Sequence, residues 1–568
     1  MIAEDIVEFL ESLGAKYVFG VPGSTTVSII NSISESKKLK FISGIHENAS
    51  LSMADGYSRA SGEIGIVVLH TTPGLATALP NLYNSFVDSV PLLVIVGDVD
   101  SRSLIREPGL SLSELENLAK PVSRWCYYAK STSDIVTAFE RSVSVLYSTQ
   151  PGPCCIVVPE DLFEQNNTRA LRKPASPPFR TTITPDSNTL LDVTTLIDKA
   201  KWPVVIVGRE VRDPRSIQSL VEFCERLSVP VLLESPYPSA YGIGFPQDNI
   251  CYLGLFRRES EVMKDADLVI GVGGQLFTER KFYETEALDP KVKVVHIHTN
   301  PRELGKNIKT DLPIMGTSDS AIVLFNEASK SLDSSWDERR RERKAKIEEI
   351  HARRSEERNK LASKPGDGTG VKPWKLIGAM YKVLSEKQNF VIVDEGVIAS
   401  SYLSELFVFS KPGSLIGRSA GCLGWGVGAA IGAKLALPGQ KVIAFVGDGA
   451  LLFCPQGLWS AAHYGIPITV IVANNSGYTS VSLSYDSFGK RSKRKVSYAG
   501  TVLSEPVLDI VKLAESLGVR ATSVQDETEL VPALRKAVDS GKVELVDVHT
   551  DPKERGYEVS VGQGSAWT

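Results

Sequence analysis

Short apolar runs rich in valine and isoleucine recur along the chain, each stopped by a glycine or a polar residue. IGIVVLH (64–70) and PLLVIVGD (91–98) are two of them, and TTPGLATALPNLYNSFVDSV between them has helical spacing. A strand, a helix and a second strand, with both strands apolar throughout, predict a parallel sheet covered on both faces. PCCIVVPEDL closes this first segment, and the Pro- and Thr-rich join RKPASPPFRTTITPDS follows. The pattern then repeats in WPVVIVGREV, VPVLLES, ADLVIGVGG and KVKVVHIHTN, and a third time in NFVIVDEG, KVIAFVGDG, ITVIVANN and VELVDVHT. A stretch dense in opposite charges at i,i+4, beginning WDERRRERKAKIEEI, reads as an exposed helix leading into a connector. The predicted organisation is three consecutive α/β domains with mostly parallel central sheets, at 1–170, 185–335 and 371–568. The charged helix and linker occupy 336–370.

Composition narrows the function. The 568 residues suit about three domains, and 42% hydrophobic with 23% charged is ordinary for a globular protein. A net charge of −4 gives no electrostatic case for nucleic acid. The first residues, MIAEDIVEFLESLG, read as an acidic amphipathic helix and lack the basic start of a signal peptide. No apolar run reaches the ~18 residues of a membrane span. Seven scattered cysteines without a CxxC pair imply neither a disulfide framework nor a zinc site, so a reducing cytoplasm is the expected location.

Gly-Asp-Gly occurs twice. Asp367, in KPGDGTG, follows no strand and reads as a solvated turn. Asp448, between Gly447 and Gly449, is delivered by VIAFV to the carboxyl end of a strand, where ligands collect in open α/β sheets. PQGLWSAAHYGIP is predicted as the next helix, and ITVIVANN as the next strand, ending at Asn475. One carboxylate and one amide oxygen on adjacent strand ends form a sparse hard-oxygen set. Such a set suits Mg²⁺, which keeps waters and accepts phosphate oxygens. Asn166-Asn167, in FEQNNTRA, reads as loop.

From Gly447 through Asn475 the chain resembles the thiamine diphosphate fingerprint, and its three-segment order resembles the 2-oxoacid decarboxylase and acetolactate synthase family. The resemblance implies thiamine diphosphate and Mg²⁺, with Asp448 and Asn475 ligating the metal by side chain and Gly477 by its carbonyl. HENA…ADGYSRASG is similar to the family's catalytic-glutamate helix, which makes Glu47 the carboxyl against the aminopyrimidine ring. On spacing alone Glu47 is equally an ordinary first-turn glutamate. His46 beside it reads as structural. Leu423 matches the apolar wedge that bends the cofactor, and its other reading is a core leucine. Glu395, at a strand end, is read either as lining the diphosphate cleft or as a capping acid. Because the family's cofactor spans two chains, the resemblance implies a homodimer at minimum, with a homotetramer expected.

Two residues bear on the branch. Ser24, in FGVPGSTT, reads as a turn or helix cap, and His70 as a hydrogen-bonded strand-end residue. Both also match positions in benzoylformate decarboxylase, where the resemblance implies a carboxylate anchor and a proton carrier. Against this, GGQLFTERKFYETEAL has no counterpart of that enzyme's second histidine, and His296 and His298 read as buried strand residues. Thr71-Thr72-Pro73-Gly74 departs from the Ser-Gly-Pro-Gly of acetolactate synthases. Gly271, Gly273 and Gly274 lack the third glycine of a dinucleotide motif, so a tight turn is expected there and FAD is not. The function expected is non-oxidative decarboxylation of a small 2-oxoacid to an aldehyde, with no nucleic acid or membrane partner. The alternatives are a carboligase, of the acetolactate synthase or 2-hydroxyacyl-CoA lyase type, and a cofactor-binding paralogue without catalysis.

Overall fold

Every apolar run named above becomes a strand. The structure, a computed structural model, describes residues 1–166, 169, 171–172, 181–234, 243–258, 260–278, 286–331, 337–387 and 389–557. The first sheet has six strands in the order Lys40–Ser43, Tyr17–Gly20, Gly65–His70, Leu92–Asp98, Cys154–Pro159, Trp125–Tyr128. Gly65–His70 and Leu92–Asp98 pair in parallel with His70 opposite Gly97, joined by the helix Thr71–Val87. The second sheet, also six-stranded, has Leu268–Val272 and Pro203–Val207 at its centre. The third has six strands too, and Phe390–Glu395, Lys441–Gly447, Thr469–Asn474, Glu544–His549 and Arg520–Val524 pair in that order, all parallel. The predicted α/β class, three mostly parallel sheets in sequence, is what the chain forms.

Two compact units divide these sheets. The first comprises 1–180, 366–403 and 418–568, and the second 181–365 with 404–417. Within the first unit the helices Glu47–Ser61 and Gly426–Ala436 lie in close contact. A Cβ on Gly56 would sit 2.1 Å from the Ala429 carbonyl oxygen, and one on Gly432 would sit 2.0 Å from that of Met53. Only glycine permits that approach. A buried ionic cluster joins the same elements. Arg59 pairs with Asp55 at 2.6 Å and Asp88 at 3.0 Å, and the Trp425 indole donates to Asp55 at 2.6 Å.

In the second unit the charged helix Asp337–Ser363 is less solvated than its sequence implies. Ile347 and Ile350 join the apolar cluster around Trp202. Arg343 is 2% exposed and donates to the carbonyls of Ile197, Ala200, Lys201 and Leu227. Those of Ile197, Ala200 and Leu227 lie at the ends of the helices Ser187–Lys199 and Pro214–Leu227, whose last-turn carbonyls have no intrahelical donors. Arg343→Ala is expected to destabilise this unit by about 3 kcal/mol, since it strands several buried acceptors. Denaturant unfolding followed on the purified protein checks this, and an unchanged midpoint would make Arg343 dispensable. His296 and His298 are buried in the strand Lys293–His298, as expected, and burial pushes His298 down to about 3. Gly273 adopts φ +69°, the tight turn its sequence implies. Asp367 is exposed in a turn, as read, and additionally pairs with Lys372 at 2.8 Å, which also bonds Asp551. All seven cysteines are free, and among the described residues no helix is long and apolar enough to cross a membrane.

Candidate functional site

The strands Lys441–Gly447 and Thr469–Asn474 are parallel neighbours with Gly447 opposite Ala473, so their carboxyl ends share one edge. Asp448 opens a six-residue helix, Asp448–Phe453, that precedes the expected helix, which spans Gly457–His463. Asp448 is 5% exposed. Its Oδ2 accepts from the Gly477 backbone N–H at 3.1 Å, and Asn475 Oδ1 accepts from the same N–H at 3.2 Å. Two side-chain oxygens from adjacent strand ends therefore converge. Asn475 Nδ2 donates to Thr479 Oγ1 at 2.9 Å, which turns the amide oxygen toward Asp448.

Burial pushes the Asp448 carboxyl up to about 6, against the pull of the Gly449 and Gly477 N–H groups, and the charge acting on it is another carboxylate, Asp547. A desolvated carboxylate beside a second hard oxygen fits a divalent metal. The residues present thus suit Mg²⁺.

A cleft adjoins these oxygens. Leu423, Gly447, Asp448, Gly449, Asn475 and Gly477 line it, together with the turn Gly396–Ala399 and the segment Tyr478–Ser480. The helices Ile398–Leu406 and Thr479–Ser492 both begin in this lining, offering N-terminal backbone N–H groups to an anion. Val397 and Ser476 hold φ of +53° and +54°, a strained arrangement for non-glycine residues that the sequence does not signal. Leu423 is half-buried and on the cleft wall rather than in the core. Glu395 matches the capping alternative. It is 2% exposed, accepts from the Trp425 and Gly426 N–H groups that open the helix Gly426–Ala436, and pairs with Arg418 at 3.1 Å. It does not line the cleft.

The N-terminal candidates form a second group, outside the lining of that cleft. Glu47 is the first residue of the helix Glu47–Ser61, half-buried, behind the N-cap His46. His46 Nδ1 accepts from Asn48 N and lies 3.8 Å from Cys454 Sγ, at the end of the helix that Asp448 opens. Ser24 starts a 3₁₀ turn, Ser24–Thr26, and is exposed. His70 ends its strand, and Thr71 after it has φ +39°. The turn and the histidine meet: a Cβ on Gly23 would lie 2.3 Å from His70 Cγ. Thr25, which the motif reading passed over, bonds His70 Nδ1 at 2.8 Å. The one signal in the sequence was its place between Ser24 and Thr26, a hydroxyl run after a glycine turn.

The arrangement has recognisable relatives. Family models for the thiamine pyrophosphate enzymes match the chain three times: the N-terminal TPP binding domain at 1–111, the central domain at 190–324 and the C-terminal TPP binding domain at 398–548. The acetolactate synthase large subunit of Haemophilus influenzae is 28% identical, covering 99% of this chain and 96% of that protein. Isozyme 3 of the same subunit from Escherichia coli K12 is 27% identical, covering 99% and 97%. Among solved structures, a 4-hydroxybenzoylformate decarboxylase of Rhodococcus jostii RHA1 aligns with TM-score 0.80 and 24% identity, covering 97% of this chain and 99% of that one. A benzoylformate decarboxylase of Polynucleobacter necessarius aligns at 0.83 and 20%, covering 98% and 99%. These structural likenesses establish the shared fold. With its three domains matched in order, the chain belongs to the thiamine diphosphate-dependent enzyme family.

Proposed function

We propose that this protein is a thiamine diphosphate- and Mg²⁺-dependent decarboxylase that converts a small 2-oxoacid to an aldehyde. The observation that carries this reading is His70, an imidazole fixed at a strand end against the Ser24 turn. Bound thiamine diphosphate would supply the electron sink for loss of CO₂. Asp448, Asn475 and the Gly477 carbonyl would hold the metal, with Gly447 and Gly449 leaving room for the diphosphate and Leu423 supporting the ring system. Glu47 would hold a proton at the aminopyrimidine nitrogen. Ser24 would anchor the substrate carboxylate, and His70 would deliver the proton that completes the aldehyde, since an imidazole nitrogen can both hold and release a proton. Glu395 would act through the helix it caps.

Glu47 and the cleft residues belong to separate groups within one chain, which supports a site completed by a second copy, in a homodimer at least and a homotetramer by expectation. FAD is not part of this reading, and the cytoplasm is the proposed location.

A second reading, carboligation, is favoured by the full-length similarity to acetolactate synthases. A 2-hydroxyacyl-CoA lyase falls under the same reading, whereas retention of Glu47 argues against a non-catalytic paralogue.

The deciding experiment supplies holoenzyme with benzoylformate and, separately, pyruvate, and assays aldehyde and acetolactate. For His70→Ala, aldehyde release is expected to fall by ~10²-fold with cofactor binding intact. Unchanged turnover per folded molecule would put the carboligase reading first. A yellow purified protein would restore FAD.

A further inference from the structure

Thr25 sits where it can decide which nitrogen of His70 carries the proton. It is 3% exposed, and its Oγ1 lies 2.8 Å from the Gly97 carbonyl oxygen and 2.8 Å from His70 Nδ1. A hydroxyl has one proton to give. The carbonyl can only accept, so that proton goes to Gly97. The Thr25 oxygen is then left to accept, and Nδ1 must be the donor. Neutral imidazole has a single N–H, so Nε2 keeps its lone pair.

The surrounding backbone holds this relay in register. His70 and Gly97 are opposed in adjacent parallel strands. A Cβ on Gly97 would come within 2.4 Å of the Thr25 carbonyl oxygen, and one on Gly23 within 2.3 Å of the imidazole. Neither glycine can be enlarged without displacing the turn or the ring.

We infer that Thr25 is a positioning residue that fixes His70 as the Nδ1–H tautomer, leaving Nε2 as the atom that takes up and releases protons. This deepens the role proposed for His70 and rests on it only for its effect on rate. The imidazolium keeps its Nδ1 proton on Thr25, gives up the Nε2 proton, and returns to the same neutral tautomer without a ring flip.

The test compares wild type, Thr25→Val and Thr25→Ser as holoenzymes reconstituted with thiamine diphosphate and Mg²⁺ and labelled with ¹⁵N-histidine. The His70 signal is identified by its loss in His70→Asn. In wild type and Thr25→Ser at alkaline pH, Nδ1 should be protonated and Nε2 bare. In Thr25→Val that preference should disappear. Turnover of whichever of benzoylformate or pyruvate yields product should fall about tenfold, the scale of one hydrogen bond, and Thr25→Ser should recover it. A wild-type ring protonated at Nε2 would overturn the inference, whether or not the valine variant folds, as would an unchanged tautomer in Thr25→Val. If the spectra change as expected while both Thr25→Val and His70→Ala keep full turnover, the tautomer assignment stands and the catalytic role of His70 falls.

Discussion

Asp448→Ala protein should emerge from gel filtration in Mg²⁺ and thiamine diphosphate buffer without bound cofactor, while wild type retains it. The carboxylate is one of the two side-chain oxygens that accept from the Gly477 N–H at the strand ends. Hard divalent cations of this kind are held by one or two carboxylates plus phosphate oxygens and water. Removing the single charge leaves Asn475 and a carbonyl, neither of which offsets two positive charges. The expected loss of affinity is therefore at least ~10²-fold, since even residues that only orient metal ligands cost about 10- to 100-fold when replaced. The fold should survive, because burying this desolvated carboxylate costs rather than adds stability in the apo protein. Asp367→Ala is the matched control. Asp367 is exposed, and Lys372 keeps Asp551 as a partner without it. Cofactor retention should match wild type, since Asp367 is exposed and the buried Lys372 keeps its pair with Asp551. Equal behaviour of the two variants would remove Asp448 from the metal site.

Glu47→Gln should bind thiamine diphosphate and Mg²⁺ normally yet exchange the cofactor's C2 proton at least ~10²-fold more slowly, the usual scale for one acid–base group. The amide keeps the shape of the carboxyl and its place as the first residue of the helix Glu47–Ser61. It loses only the exchangeable acid proton. Hydrogen–deuterium exchange at C2, followed by NMR on quenched samples, reads this directly. A rate equal to wild type would leave Glu47 as a first-turn glutamate favoured by the helix dipole. The same variant tests the two-chain site. Mixed with Asp448→Ala and re-associated, it should regain activity, because a hybrid pair contains one site with both residues intact. No recovery would mean that each chain builds its own site.

The strands were legible because parallel sheets bury both faces, which writes them as continuous Val- and Ile-rich runs that few other structures produce. The placement of Asp448 and Asn475 was legible for a related reason. Adjacent parallel strands end on one edge, so a residue that follows each strand is brought beside the other without any long-range information. The helix Glu47–Ser61 followed from its small and apolar residues and its first-turn acid. Three features were not decided by the sequence. Glu395 as a helix cap depends on a contact with Trp425 and Gly426, about thirty positions away in sequence. The charged helix hides Arg343 because an arginine among many reads as solvated, and only packing shows which one faces the carbonyls of two other helices. The left-handed Val397 and Ser476 carry no residue-type signal, since their conformation is imposed by the turns that close the cleft. Local pattern therefore determined the elements, their class and the strand-end chemistry, because period and strand polarity are properties of neighbouring residues. Which polar groups meet, and so which nitrogen of His70 is committed to Thr25, was decided only by the tertiary structure, because a hydrogen bond depends on position to a few tenths of an ångström that no spacing along the chain encodes.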